Sequence, residues 1–572
     1  MLLSMTYAST LVTALLLGLS PVVSAQNAAG APINDRAVVL GILAAEFSLQ
    51  NGDLVTAAST YYEVAKRSQD AKVAERAVEL LLRSRRIDDA KEIAALWQDS
   101  DGTSARAHQV ALALALTSVD EPRALSAVKR IAGLPEALRS EAIMDAARQF
   151  AQYRDRDFAV KLASVFSDQL PTLAESQYAL AVASTGTANV RLGEALIAID
   201  RALALKANWP QAVAVKSRLL LARAATAKTP VADAGADATA LLEAAITANP
   251  EARELRLLLA RTLFDLEKFT ESRKRFLALA EDGKEDADEM RLAATLSSFQ
   301  GQDWDVAERE FMESLAADRG EPPAILYYLA RISESKKNWA EAVERFAQVP
   351  RGERYWESQL RIAGAIAQDQ RLLQAMAHLR TLKPTTAIER LTLAQTESTL
   401  WRDAGDNGKA FQALDAALAG DADNADLLYD SAMLAERIDR VDEAEKRLRR
   451  VIALQPDRAH AHNALGYSLA DRNIKLDEAR TLIEKAHSLS PDDPAILDSM
   501  GWIAFRQSRL QEAEQFLRRA IEKFQDGEIA AHLGEVLWAQ GRKDDARTVW
   551  QTQLKVQPES DILKKTMARF DQ

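Results

Sequence analysis

The sequence predicts an all-α solenoid of about fifteen helix-turn-helix repeats, and three observations support this prediction. An alanine-centred phrase recurs about every 34 residues along the chain of 572 residues. Gly and Pro, which interrupt helices, are scarce at 22 and 16 residues, whereas Ala, Leu, Glu and Arg, which favour helix, are abundant. Runs of β-branched residues are few, which argues against an all-β or α/β fold.

The second helix of each repeat is identified by a small anchor residue. Successive anchors lie 33 to 36 residues apart, with one spacing of 43 residues, and fourteen of the fifteen are alanine. Alanine lets two helices approach closely, and a larger apolar residue four positions later lies on the same helical face. The anchors are Ala57, Ala90, Ala124, Ala159, Ala195, Ala238, Ser272, Ala307, Ala342, Ala375, Ala410, Ala444, Ala479, Ala513 and Ala546.

The first helix of a repeat needs a small residue where it crosses the second. Such a residue stands about twelve positions before many of the anchors. These positions predict the crossing point of each helix pair, and they are Ala45, Ala147, Ala260, Ala330, Gly466, Gly501 and Gly534.

The 43-residue spacing divides the predicted array in two. It lies between Ala195 and Ala238 and implies about nine extra residues, which we place in residues 226–237. The sequence therefore predicts degenerate N-terminal repeats over residues 34–225 and a C-terminal array over residues 238–566. The segment between them is either a surface insertion, which solenoids tolerate, or a hinge between two arms.

Charge and cysteine content exclude several classes of protein. The net charge is −11, from 72 basic and 83 acidic residues, whereas nucleic-acid binding draws on a basic surface. The absence of Cys excludes disulfides, Cys-ligated zinc, thiol catalysis and a lipid anchor attached through Cys.

The N-terminal residues predict an export signal. A short apolar run, Leu11–Leu19, precedes the small residues Val23 and Ala25, which suit cleavage before Gln26. Residues 1–25 are therefore expected to be a signal peptide, and the mature protein is expected in the periplasm. The lack of Lys or Arg near the start leaves an uncleaved anchor or a misassigned start as alternatives.

Catalytic and metal-binding patterns are missing from the sequence. The motifs HExxH, GxSxG, GxGxxG and GxxxxGK(S/T) do not occur. Ser333–Lys336 matches S-x-x-K, but it falls at a helix end of a repeat and has no partner motifs. His460 and His462 are too close in sequence to share a metal from one helical face. The repeats occupy the chain from Ala57 to Ala546, which leaves no stretch long enough for a catalytic domain. We therefore expect no enzymatic activity, no cofactor and no metal.

The pattern of small, large and Pro positions resembles the tetratricopeptide repeat (TPR). Residues 463–493 and 498–524 are close to its consensus. The resemblance implies a right-handed superhelix in which the first helix of each repeat lines a concave groove.

On that basis, first-helix residues near the C-terminus are predicted to form a partner-binding groove. Aromatic and Arg side chains are typical anchors of protein interfaces, and Asn and Asp can bind a peptide backbone or a charged terminus. An alternative for Trp502 and Trp538 is packing between repeats. The predicted groove residues are Tyr429, Arg437, Asn463, Tyr467, Asp498, Trp502, Phe505, Arg506, Glu535 and Trp538, with Met433, Glu436 and Asp471 beside them.

Residues 462–472, 491–503 and 527–550 resemble a narrower family of exported proteobacterial TPR proteins. That family includes a lipoprotein adaptor of a periplasmic carboxyl-terminal processing protease, so the resemblance implies a protein-binding adaptor in cell-wall turnover with a protease partner. This chain has no Cys and cannot carry that lipid anchor. The alternative function is a scaffold in an exopolysaccharide synthesis or secretion machine.

Overall fold

The computed structural model describes residues 36–185, 191–226 and 235–570. These residues form thirty-one helices and no strand, so the predicted all-α repeat fold is confirmed. The predicted signal peptide, residues 1–25, and residues 227–234 of the predicted insertion lie outside the described residues. Within the residues described, no helix is both long and apolar enough to cross a membrane.

The chain divides into two compact units, one ending at Ala307 and one beginning at Glu308. The helices of the first unit are α1 (Arg36–Gln50), α2 (Leu54–Ser68), α3 (Ala71–Arg83), α4 (Ile87–Ser100), α5 (Ala105–Thr117), α6 (Glu121–Ala132), α7 (Glu136–Gln152), α8 (Arg156–Gln169), α9 (Ala174–Ser184), α10 (Leu192–Leu205), α11 (Pro210–Thr226), α12 (Ala236–Ala248), α13 (Arg253–Asp265), α14 (Phe269–Ala280) and α15 (Ala287–Gln300).

The boundary between the units lies within α16 (Trp304–Ala316). The second unit continues with α17 (Pro322–Ser335), α18 (Trp339–Ala347), α19 (Tyr355–Gln368), α20 (Leu372–Thr381), α21 (Ala387–Asp403), α22 (Asn407–Leu418), α23 (Ala425–Arg437), α24 (Val441–Leu454), α25 (Ala459–Asp471), α26 (Leu476–Leu489), α27 (Pro494–Arg506), α28 (Leu510–Lys523), α29 (Gly527–Ala539), α30 (Lys543–Val556) and α31 (Asp561–Phe570). In each unit a helix packs mainly on its neighbours in the sequence, as expected for a solenoid.

The anchor residues lie where the sequence predicts. All fifteen occupy second helices, which are the even-numbered ones, and all are 0% exposed. Ser272, the one anchor that is not alanine, donates its hydroxyl proton to the carbonyl oxygen of Ala260 at 2.9 Å. This bond satisfies a polar group that would otherwise be costly to bury.

The first-helix glycines mark the closest helix crossings. A Cβ atom on Gly501 would lie 2.5 Å from Leu517 Cγ, and one on Gly534 would lie 1.9 Å from Trp550 Nε1. Leu517 and Trp550 each follow an anchor by four residues. Glycine is therefore required at these positions by the close approach of the two helices.

Side chains near the start of several first helices bind the turn that precedes them. His108 Nε2 lies 3.0 Å from the carbonyl oxygen of Gly102, and His462 Nε2 lies 2.8 Å from that of Pro456. In both cases the bond spans six residues. Each of these two buried histidines thus has a structural partner for its Nε2 atom.

Candidate functional site

The predicted groove residues lie on four successive first helices, α23, α25, α27 and α29. The structure brings Tyr467, Asp498 and Trp502 together with two residues of α29, Glu528 and His532. We call these five residues the Tyr–Trp–His cluster. Neither Glu528 nor His532 was selected from the sequence. Glu528 lies in the first turn of α29 and His532 near its middle. The repeat pattern alone does not show that these positions face α25 and α27.

Hydrogen bonds and stacking hold the Tyr–Trp–His cluster together. His532 Nδ1 lies 2.9 Å and 3.1 Å from the two carboxylate oxygens of Asp498. The Trp502 ring stacks on the His532 ring, with centroids 4.0 Å apart and planes at 20°. The Tyr467 hydroxyl donates to Glu528 Oε1 at 2.5 Å. The cluster therefore joins α25, α27 and α29 through one buried polar contact, Asp498–His532, and one partly buried contact, Tyr467–Glu528.

The cluster changes the acid–base behaviour of its members. Burial alone lowers the pKa of His532, but the adjacent Asp498 carboxylate outweighs burial and raises that pKa above its usual value. Burial, followed by the negative charge of Glu528, raises the pKa of Tyr467 well above its usual range. Trp502 is only 5% exposed, so its ring lies within the cluster and not on the surface.

Phe505 and Arg506 extend the cluster along α27. The Phe505 ring lies 5.2 Å from the Trp502 ring, and the Arg506 guanidinium lies 5.1 Å from the same ring. Arg506 Nε also donates to the carbonyl oxygen of Ala470 at 3.0 Å, and the guanidinium contacts the carbonyl of Asp471. Arg506 thus satisfies carbonyl groups at the C-terminal end of α25.

Trp538 and Glu535 lie against the C-terminal helix α31. The Trp538 ring is 5.2 Å from that of Phe570 and 6.0 Å from that of Trp550. Glu535 forms an ion pair with Arg569. Both residues are therefore used to hold α31 on the last complete helix pair.

The remaining predicted residues are more accessible. Tyr429 is half-buried beneath the guanidinium of Arg458, at 4.6 Å from its ring centroid. Asn463 is half-buried as well, and its Oδ1 atom has no hydrogen-bond partner among the described residues. Arg437 is exposed at the edge of a cavity of about 260 Å³. Whether a partner contacts the predicted groove residues stays a prediction.

Asp498 and His532 are both buried. Within the described ranges no three His, Cys, Asp or Glu side chains are grouped to hold a metal ion.

The outer face of α1 is a second candidate surface, and the sequence analysis did not predict it. Val39, Leu40, Leu43 and Phe47 are 43%, 63%, 61% and 67% exposed. We call these four residues the α1 apolar face. The opposite face of α1 is buried through Val38 and Ala45, so the helix is apolar on two sides. The signal in the sequence was this all-round apolar character with few charges, combined with a position at the start of the repeats.

Comparison with protein families identifies the repeat type. Residues 402–466 match one family model described as tetratricopeptide repeat. A second model with the same description matches residues 235–288, 293–355, 475–528 and 499–556. The chain therefore carries tetratricopeptide repeats, in agreement with the resemblance drawn from the anchors.

Two curated relatives carry the same repeat. The chain is 44% identical over 212 residues to a TPR repeat-containing protein of Pseudomonas aeruginosa, and the match covers 36% of this chain and 35% of that protein. It is 33% identical over 96 residues to tetratricopeptide repeat protein 7A of Homo sapiens, over 17% of this chain and 11% of that protein. The chain thus matches about a third or less of the length of these relatives.

Solved structures with a similar arrangement are distant in sequence. A tetratricopeptide repeat protein of Parabacteroides merdae has 13% identity and a TM-score of 0.33, with 49% of this chain and 97% of that chain covered. A TPR protein of Thermus thermophilus has 18% identity and a TM-score of 0.29, with 33% and 100% covered. At these TM-scores the assignment of the repeats rests on the sequence matches.

Proposed function

We propose that this protein is a non-enzymatic adaptor of the periplasm that binds a protein partner through its α1 apolar face. TPR repeats are suited to protein–protein interaction, and the described residues include exposed apolar surface that a partner could cover. The observation that carries the proposal is the exposure of four large apolar side chains on one helix. Contiguous apolar surface of this kind is typical of interaction sites.

The energetics of the α1 apolar face favour coverage by a partner. Each large apolar side chain contributes about 1.5–3 kcal/mol when it is fully removed from water. The nearest carboxylate on α1, that of Glu46, accepts a hydrogen bond from the Tyr61 hydroxyl at 2.7 Å and pairs with Arg76. The exposed Arg36 lies four residues before Leu40 on the same side of α1, so the face carries one positive charge at its N-terminal end. The rest of the face is apolar and suits an apolar partner surface.

The finer identity of the partner comes from sequence resemblance. Residues 462–550 resemble exported proteobacterial TPR proteins that include an adaptor of a carboxyl-terminal processing protease. We therefore propose a periplasmic processing protease as the partner and cell-wall turnover as the process. Export through residues 1–25 belongs to the same proposal.

The test is binding to the purified carboxyl-terminal processing protease of the same organism. In a Leu40→Glu/Leu43→Glu variant, two side chains that are more than 60% exposed acquire charge, so the fold should persist. We expect protease binding to weaken at least about thirtyfold, as for loss of a hot spot worth about 2 kcal/mol. Stimulation of peptide cleavage by the protease should fall in parallel.

The matched control is Leu373→Glu/Ile388→Glu, which adds the same two negative charges at residues of α20 and α21 that are 77% and 64% exposed. This variant should bind like the wild type. Equal binding by the double variant, with unchanged circular dichroism, would place the docking surface elsewhere. Failure of the wild-type chain to bind the protease at all would contradict the proposed partner.

A further inference from the structure

The turns that follow the last five anchored helices share an acidic residue. In each turn this residue lies thirteen positions after the anchor of the preceding second helix. The regular spacing allows the five turns to be compared position by position. The acidic residues are Asp423, Asp457, Asp492, Asp526 and Glu559.

In the first three of these turns, the second helix of the following repeat supplies a cation. Each carboxylate forms an ion pair with one Lys or Arg side chain of that helix, so a basic residue of one repeat binds the turn before it. The pairs are Asp423 with Arg450 at 2.7 Å, Asp457 with Lys485 at 3.5 Å, and Asp492 with Lys523 at 2.9 Å.

The last two turns receive no cation from a following repeat. The three cations above lie six or ten residues after an anchor, and at these positions α30 has Thr552 and Val556. Asp526 accordingly forms no ion pair with any residue that the structure describes. Glu559 pairs only with Lys564, five residues further along the chain, at 3.3 Å. That pair is exposed to water and contributes little.

These two acidic residues line one cavity of about 570 Å³, which lies between the turn before α29 and the turn before α31. We call it the C-terminal turn cavity. Glu528 contributes a third carboxylate, and its Oε1 atom accepts the hydrogen bond from Tyr467. Asp526 and Glu528 are half-buried. The cavity therefore places three carboxylates together, two of them partly shielded from water.

Apolar side chains border the C-terminal turn cavity. Ile562 lies in its wall and is 39% exposed. Phe524 and Val556, at the C-terminal ends of α28 and α30, are each 56% exposed. A partner that covers this surface should therefore bring an apolar side chain beside its charge.

We infer that the C-terminal turn cavity binds a Lys or Arg side chain of a protein partner, next to an apolar residue of that partner. In three earlier repeats the equivalent carboxylate already holds a Lys or Arg of this chain. Asp526 also caps α29, because its Oδ1 atom accepts the backbone N–H of Glu528 at 2.8 Å. The carboxylate thereby offsets the positive end of that helix, which would otherwise oppose a cation. The inference concerns a different surface from the α1 apolar face and does not rest on the proposed function.

The test measures binding of short peptides to the full chain by fluorescence anisotropy. All peptides carry a fluorophore at the N-terminus and an amide at the C-terminus, and they share one Gly- and Ser-rich sequence. The first contains a Lys-Leu pair, the second Gln-Leu and the third Lys-Ser. We expect the Lys-Leu peptide to bind at least about tenfold more tightly than the Gln-Leu peptide, because the latter lacks the charge-assisted hydrogen bond. It should bind at least about threefold more tightly than the Lys-Ser peptide, which lacks the apolar contact.

An Asp526→Asn/Glu559→Gln variant should weaken binding of the Lys-Leu peptide at least about tenfold. Asn caps a helix as well as Asp does, so α29 should still begin at the same residue. The matched control is Asp457→Asn/Asp492→Asn, which removes two negative charges at equivalent positions where the chain supplies its own cation. The control should bind within about twofold of the wild type, which excludes a general effect of net charge.

A Thr552→Lys variant tests the comparison between repeats. The new ammonium group would stand six residues after its anchor, as Lys485 does when it pairs with Asp457. It should occupy Asp526 and weaken binding of the Lys-Leu peptide at least about threefold. The matched control Thr548→Lys adds the same charge at an exposed residue one turn earlier in α30 and should not change binding.

Four results would overturn the inference. They are equal binding of the Lys-Leu and Gln-Leu peptides, no binding of either peptide, an equal loss in the Asp457→Asn/Asp492→Asn control, and unchanged binding in the Asp526→Asn/Glu559→Gln variant. Butylamine carries the same ammonium group without a peptide, so tighter binding of butylamine than of the Lys-Leu peptide would contradict the assignment to a protein partner.

Discussion

Replacing Gly534 with alanine sets two effects of opposite sign against each other. In an unobstructed helix, Gly→Ala stabilises by about 1 kcal/mol. At Gly534, however, the new Cβ atom would lie 1.9 Å from Trp550 Nε1 and 2.2 Å from Cε2, whereas ordinary contacts are 3.4–4 Å. The indole ring would have to move by about 1.5 Å, and it is only 1% exposed. Overpacking of this kind typically costs about 1–3 kcal/mol.

Movement of Trp550 has further costs. Its Nε1 atom donates to the carbonyl oxygen of Ala531 at 3.3 Å, a bond worth about 0.5–1.5 kcal/mol. Its ring also stacks on Phe570 of α31 at 5.4 Å. We therefore expect Gly534→Ala to destabilise the last repeats by about 1–3 kcal/mol net, after the gain in helix propensity.

Amide hydrogen exchange measures the loss of stability in individual helices. Protected amides of α29 and α30 should exchange about 5- to 150-fold faster in the variant, while those of α19 should not change. The matched control is Gly364→Ala in α19, where no atom lies within 4 Å of the new Cβ and stability should rise. If Gly534→Ala were as stable as the wild type or more so, the close crossing of α29 and α30 would be wrong.

Two other predictions concern the C-terminal repeats. Because the folded-state pKa of His532 is raised, its contribution to stability is complete below the unfolded-state pKa near 6.5 and is lost as pH rises through the folded-state value. The midpoint of urea unfolding should therefore fall more between pH 6 and pH 8.5 in the wild type than in His532→Gln, whereas His460→Gln, at an exposed histidine, should behave like the wild type. Trp538→Ala should release α31, because the ring packs on Phe570, and should destabilise the last repeats by about 2–4 kcal/mol. Limited proteolysis should then cleave within residues 557–572, and an uncleaved variant with an unchanged melting temperature would contradict this.

The succession of helix pairs was predictable from the sequence, because the spacing of the anchor residues depends on local geometry. Ala513 and Gly501 are small for the same reason, which is the close approach of two adjacent helices, and a recurring small residue records that approach directly. Ser272 was identified by its spacing alone, and its hydroxyl bond explains why a polar residue is tolerated there.

The exposure of first-helix side chains was less predictable from the sequence, because it depends on how one repeat is rotated against the next. Trp502 lies on a first helix, as expected for a groove residue, yet His532 of the next repeat covers its ring. Trp538 is covered by α31. This helix follows the last anchor residue, so the spacing of the anchors does not predict it. The α1 apolar face shows the reverse case, in which a helix with apolar residues all round lacks a preceding repeat among the described residues to cover it.

The hydrogen bond between Tyr467 and Glu528 joins residues 61 positions apart and passes over α27. During synthesis, α25 and α27 therefore appear before the residue that completes their shared face. Glu528 follows Arg506 by 22 residues, which at 5–20 residues per second takes about 1–4 s. Throughout that interval the Trp502 ring lacks its covering histidine. Earlier helix pairs can pack one after another as they are synthesised. The contacts among α25, α27 and α29 can form only after α29 has been synthesised.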